Sequence, residues 1–304
     1  HAGILPPIGT VTIPIDGYFY GFDYEVVDGE GNQLPTSIVH HFNVIDPDHR
    51  ELFLPISRRV MAAGGETGGQ SMPWMLFGYP MSAGQRLVVS VMLHNPTGIE
   101  HHDVALRIRL KYVNTGRPWP LFKVYPYQLD VAFPAGDKSF DLPVGESSRS
   151  YEASPAVAGR LMVMASHMHE YATRIVFEDI TENEVIWEGF PVAEEGQLSG
   201  VTIGRLYKRF GVKIFPDHRY RVTVHYTNPT GEAIAEGGMG VVAGLFMPAR
   251  GEEWPAAELD DPLYALDRDH YMQVVRGKYD LIKDGGGKIS DMMNMKKGMD
   301  HSHN

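Results

Sequence analysis

The sequence predicts an all-β protein: two sequential antiparallel β-sandwich domains, jelly-roll-like, followed by an irregular C-terminal extension. Three observations carry this. There are 33 Gly and 21 Pro in 304 residues and few long runs of helix formers, which favours short strands joined by turns. Apolar and polar residues alternate in short segments, as in Val104-Ala105-Leu106-Arg107-Ile108-Arg109-Leu110. A strand, an Asn-Pro-Thr-Gly turn and a second strand occur in that order twice, at 95–98 and again at 228–231. The length agrees, because single cores stop growing at about 250–300 residues.

Taken in order, residues 1–35 hold extended segments, Thr10–Ile15 and Tyr18–Tyr24, then the turn cluster Asp28-Gly29-Glu30-Gly31-Asn32. Ser37–Asp46 is a further extended stretch. Residues 50–86 read as irregular, with a flexible loop at 64–69. Leu87–His94 is a strand stopped by Asn95-Pro96-Thr97-Gly98, and Val104–Leu110 follows. Prolines cluster at Gly116-Arg117-Pro118-Trp119-Pro120, so the first domain is placed at 1–120, although the boundary fits anywhere up to Val131. The second domain, 121–250, contains Ala165–Tyr171, the apolar run Arg174–Phe177, a turn at 194–197, Tyr220–Thr227, the second Asn-Pro-Thr-Gly turn and Val241–Phe246. In the extension, 251–304, a short helix is expected within Tyr264–Leu281. Gly285-Gly286-Gly287 reads as a flexible link, and a tail rich in Met and His follows.

Composition excludes several functions. The formal net charge of −11 repels phosphate backbones, so no nucleic-acid partner is expected. No Cys is present, which removes disulfides, iron–sulfur clusters, zinc ribbons and cysteine nucleophiles. No apolar run approaches the ~20 residues of a membrane span. Ser166 beside His167 lacks a nucleophile elbow, and no Gly-x-Ser-x-Gly occurs. The chain opens on His1 rather than Met, so a removed signal peptide and a secreted or periplasmic location are expected. A free amino-terminal His could also chelate copper through its amine and ring, as in the histidine brace of lytic polysaccharide monooxygenases.

The histidines carry the remaining chemistry. On a strand, His167 and His169 point the same way, forming half of a metal site for ions that favour imidazole. His40 and His41 are adjacent, so they share an ion only at a bulge or strand end; otherwise one belongs to the core and one to the surface. His101-His102 reads as solvated loop. The tail residues Met292, Met293, Met295, Met299, His301 and His303 have a donor set suited to Cu(I), without a fold to arrange it.

A His-His pair, a His before Asn-Pro, a His-x-His and a Met among glycines before a strand, in that order, resemble the copper type II, ascorbate-dependent monooxygenases of the peptidylglycine α-hydroxylating and dopamine β-monooxygenase family. The resemblance covers roughly residues 10–250 and is best over 140–248, at His167-Met168-His169, Tyr226-Thr227-Asn228-Pro229 and Gly237-Gly238-Met239-Gly240. It implies two sandwiches that face each other across a cleft, with one copper held by each. Ascorbate or another one-electron reductant would drive dioxygen-dependent hydroxylation of a C–H bond in a small-molecule or peptide substrate. His167, His169 and Met239 would hold the catalytic copper, a set that leaves open positions and suits Cu(I). His40 and His41 would hold the other, with Met92 or His94, or both, as its third donor. The family's half-cystines fall at His225 and Gly240, so the resemblance places His225 near Met239, as a neighbour or an extra ligand. No substrate-binding residues carry over; Arg160, Tyr171 and Arg205 are candidates for a cleft lining or ordinary surface. The alternatives are a copper-binding or delivery protein without turnover, and a surface protein that keeps the fold alone.

Overall fold

The computed structural model describes residues 8–64, 68–96, 98–132, 138–194 and 197–272. His1, the 285–287 link and the Met/His tail lie outside the described residues, as do 65–67 and 195–196 of two expected turns and 273–281 of the expected helix. Among the described residues the protein is all-β with one helix. The first half forms β1 (Gly9–Thr12), β2 (Gly17–Val27), β3 (Gln33–Leu34), β4 (Val39–Arg50), β5 (Ser57–Gly64), β6 (Gln70–Ser71), β7 (Phe77–Met81), β8 (Arg86–Leu93), β9 (Ala105–Asn114) and β10 (Phe122–Lys123). The second half forms β11 (Tyr125–Asp130), β12 (Phe140–Leu142), β13 (Gly145–Ala153), β14 (Gly159–Met168), β15 (Ala172–Asp179), β16 (Glu184–Gly189), β17 (Pro191–Glu194), β18 (Gln197–Val201), β19 (Val212–Ile214), β20 (Tyr220–Asn228), β21 (Ile234–Gly238) and β22 (Gly240–Pro248).

Each half packs two sheets face to face. The first pairs β1-β8-β4-β5 with β10-β7-β2-β3, where β6 and β9 also join β2; the second pairs β11-β22-β14-β19 with β13-β20-β15-β16. The ladders are antiparallel except for β10 on β7. Sheet membership changes between Lys123 and Tyr125, a few residues beyond the proline cluster. Strand alternation explains the cores. In β20, Tyr220, Val222, Val224 and Tyr226 are buried, while Arg221, Thr223 and His225 face out. The stretch expected to be irregular, 50–86, instead contains β5, β6 and β7.

The two Asn-Pro-Thr-Gly turns share one chemistry. Asn95 Nδ2 donates to the Ile99 carbonyl at 2.7 Å, and Asn228 Nδ2 donates to the Glu232 carbonyl at 2.8 Å, each four residues on. The closing glycines, Gly98 (φ 70°) and Gly231 (φ 82°), take the left-handed conformation that side chains disfavour.

The halves are joined through their cores. Leu52, Phe53, Leu54 and Ile56, from the loop between β4 and β5, belong to the hydrophobic core of the second sandwich. Phe53 meets Tyr127, Phe177 and Tyr220 edge-on at 6.1, 5.9 and 6.1 Å between ring centres. Beside this loop, buried Arg58 lies 4.4 Å from the Trp254 ring centre and 5.2 Å from that of Tyr125. The extension thus returns to the first sandwich. Its helix α1 (Pro262–Tyr271) starts two residues before the expected position because Asp261 caps it, accepting from the Leu263 and Tyr264 amides. Asp267 then takes a two-pronged ion pair from Arg59 at 2.5 and 2.6 Å.

Candidate metal centre

In the second sandwich, β14 and β22 bring the expected ligands together. His167 pairs with Val241 and Met168 with Gly240, so Met239, just before β22, comes level with His169, just after β14. Met168 is buried in the core, which turns His167 to the opposite face of the sheet. The His167 and His169 ring centres are 5.4 Å apart, both rings half-buried. Two imidazoles bound tetrahedrally to one ion at about 2.0–2.1 Å would have ring centres about 5 Å apart, so this pair has a suitable spacing.

The face that carries His167 also meets the first sandwich. Val241, Ala243, Leu245 and Met247 alternate along it. Leu245 and Met247, with Met162, pack against Phe77, Leu76 and Met72 of the first half. Asp130 pairs with Val241, and Val241 with His167, so the three form a row across the sheet. Burial pushes the Asp130 carboxyl up to about 6, against the pull of the Lys138 ammonium 3.8 Å away.

Tyr226 reaches this site from the other sheet. Its hydroxyl donates to the Met239 carbonyl, and accepts from the Met239 amide at 2.9 Å and the His169 amide at 3.3 Å. In the sequence, Tyr226 stands only as part of the Tyr226-Thr227-Asn228-Pro229 motif, with no role of its own. The available signal was a phenol at a core-facing position of β20, where its hydroxyl needs a partner.

His225 requires a correction. Because Val224 and Tyr226 face the core, His225 faces away from it. It lines an outer groove of about 400 Å³ with Arg174, Glu188, Arg221 and Glu178. A side chain at Gly240 would meet Val224, with its Cβ 2.8 Å from that of Val224. The expected pairing of positions 225 and 240 is therefore off by one residue, which on a strand reverses the face. Burial, with Arg174 nearby, lowers the His225 pKa below the usual imidazole range.

In the first sandwich, Val39 pairs with Leu93 and His41 with Met92, and the register slips between them. This is a β-bulge at which His40 and His41 both oppose Met92. Their ring centres are 5.1 Å apart, and both residues are exposed. His94 lies beyond Leu93, where its amide donates to the Ile38 carbonyl at 2.8 Å, level with Ile38 rather than with the bulge. Among the described residues, no three His, Cys, Asp or Glu side chains gather closely enough to hold an ion. His94 and His225 therefore do not complete their pairs as third imidazoles, which leaves Met92, the register partner of His41, and Met239, level with His169, as the expected third donors. His101 and His102 lie in the loop before β9, with His102 Nε2 3.7 Å from Glu100. Of the cleft candidates, Arg160 donates to the Phe210 and Gly211 carbonyls, Tyr171 packs on the second core, and Arg205 precedes a 3-10 turn.

No family model and no curated protein matches this chain. Similar solved structures include one described as a "putative secreted protein from Eubacterium rectale", 8% identical over 80% of this chain and 69% of that one, with a TM-score of 0.25. Two others are the infectious bursal disease virus VP2 subviral particle (11% identical, 84% of this chain and 74% of that one, TM-score 0.25) and the Gx strain of that virus (9% identical, 84% and 75%, TM-score 0.23). Among the described residues no helix is long and apolar enough to cross a membrane.

Proposed function

We propose that this chain is a copper protein whose second sandwich carries a catalytic-type site at His167, His169 and Met239. Its activity would be hydroxylation of a C–H bond with dioxygen and an external reductant such as ascorbate. The observation that carries this reading is the β14–β22 register, which sets Met239 level with a His pair whose rings are 5.4 Å apart. Copper bound there would supply the dioxygen chemistry. The protein's part is to present two imidazoles and a thioether, a donor set that suits Cu(I) and leaves coordination positions open. The first-sandwich pair, His40 and His41 with Met92 opposite, would hold a second ion and pass electrons.

The exposure of His40 and His41 favours a second reading, in which the protein binds and releases copper without turnover. Oxygen consumption separates the two. Copper-loaded protein given ascorbate in an oxygen electrode is expected to consume oxygen, and His167→Ala is expected to abolish the protein-dependent part. Uptake that is absent, or unaffected by His167→Ala, removes the hydroxylase reading and leaves copper handling.

A further inference from the structure

We propose that Tyr226 is a positioning residue that sets the separation of the His169 and Met239 ligands. The proposal rests on the copper reading above, and geometry supplies the rest. His169 follows the last residue of β14, and Met239 lies between β21 and β22. Gly238 closes the β12–β21 ladder against Phe140 and Gly240 opens the β22 side of the β14–β22 ladder against Met168, so Met239 lies between two ladders and His169 one residue past the end of the second. Two ligands that must converge on one ion therefore sit where sheet hydrogen bonding has ended.

One oxygen atom occupies that gap. A hydroxyl offers one donor and two acceptor positions, and Tyr226 commits all three to these residues: one bond to the Met239 carbonyl, one from the Met239 amide and one from the His169 amide. The phenol itself is held firmly. Tyr226 is 2% exposed, comes from the opposite sheet, and meets the Phe140 ring edge-on at 6.0 Å. Gly238 lets the chain pass close beneath that ring, since a Cβ there would lie 2.3 Å from Phe140. The backbone leading to the thioether is thus pressed against the same aromatic pair that carries the hydroxyl. A tether of this kind fixes ligand spacing before metal arrives and lowers the ordering cost of binding.

The test uses the His40→Ala/His41→Ala protein, in which the first pair is removed, as parent. Cu(I) affinity is measured by competition with a coloured chelator, and the copper–sulfur contact by X-ray absorption. Loss of a partner that orients metal ligands typically costs about 10–100-fold in affinity. Tyr226→Phe is expected to fall in that range, with a weakened sulfur signal and faster amide exchange at Met239 in the metal-free protein. Val222→Ala, a core deletion on the same strand without bonds to the ligands, is expected to lower the melting temperature and leave Cu(I) affinity unchanged. If Tyr226→Phe does not fold, Phe140→Leu keeps the hydroxyl but frees the ring, and should show a smaller loss of affinity. Parent-level affinity in Tyr226→Phe, or in Phe140→Leu when that variant stands in, overturns the positioning role while the copper reading survives. A parent that binds no Cu(I) overturns both.

Discussion

The two sandwiches repeat one sequence unit but support it differently. In the second, Asn228 is 1% exposed, and its side chain bonds to Leu142, Pro143, Thr230 and Glu232. In the first, Asn95 is exposed, and its side chain bonds to the Ile99 carbonyl. The histidines follow the same division. His167 and His169 are half-buried and stand over a tyrosine tether, whereas His40 and His41 project from an exposed bulge. The second core is also completed by a loop from the first half. Burial around a repeated motif, rather than the motif itself, thus decides how rigidly its neighbours are held.

The largest effect expected from disturbing this arrangement is at Phe53. Phe53→Ala removes a ring buried among Tyr127, Phe177 and Tyr220, and such deletions cost about 3–5 kcal/mol. Denaturant titration should show that loss in the second sandwich, although Phe53 belongs to the first half of the chain. A cost below about 1 kcal/mol would mean that the loop is not integral to the second core.

A smaller effect comes from pH. Glu51, in the same loop, is fully buried, and burial pushes its carboxyl up to about 7, although its Oε1 accepts the Arg59 amide at 2.7 Å. A carboxyl raised in the folded state contributes stability below its unfolded pKa, and that contribution is lost as pH rises through the folded value. Stability should therefore fall by about 3 kcal/mol between about pH 4.5 and 7, with Asp130 adding to the fall over the lower part of the range. Glu51→Gln should flatten most of this slope, and an unchanged slope would place the titration elsewhere.

The smallest expected effect lies at the repeated turn. Asn228→Ala removes a buried side chain together with its bonds to the Leu142, Pro143 and Glu232 carbonyls and is expected to cost about 2–3 kcal/mol, against about 0.5–1 kcal/mol for Asn95→Ala. Equal costs, measured by denaturant midpoint, would contradict the difference in support.

Much of this architecture was legible because alternation is a local property. The faces of β20 and β9 follow from their residues, and the two turns announce themselves through Asn and Gly. What escaped was set by distant contacts. Leu52-Phe53-Leu54 is an apolar run in a stretch that looks irregular, and its burial requires the second sandwich. The bulge at His40 depends on its pairing with β8. His225 differs: the alternation of Val222, Val224 and Tyr226 already turns it outward, against the pairing with Gly240 that the family resemblance implies.

The most direct measurement is copper per chain after loading and washing, for the unmodified protein, Met239→Ile and His40→Ala/His41→Ala. Two coppers are expected in the unmodified chain, with one lost in each variant and the remaining ion unaffected. No bound copper in the unmodified chain would contradict the metal reading, and a single copper lost only in Met239→Ile would confine it to the second sandwich.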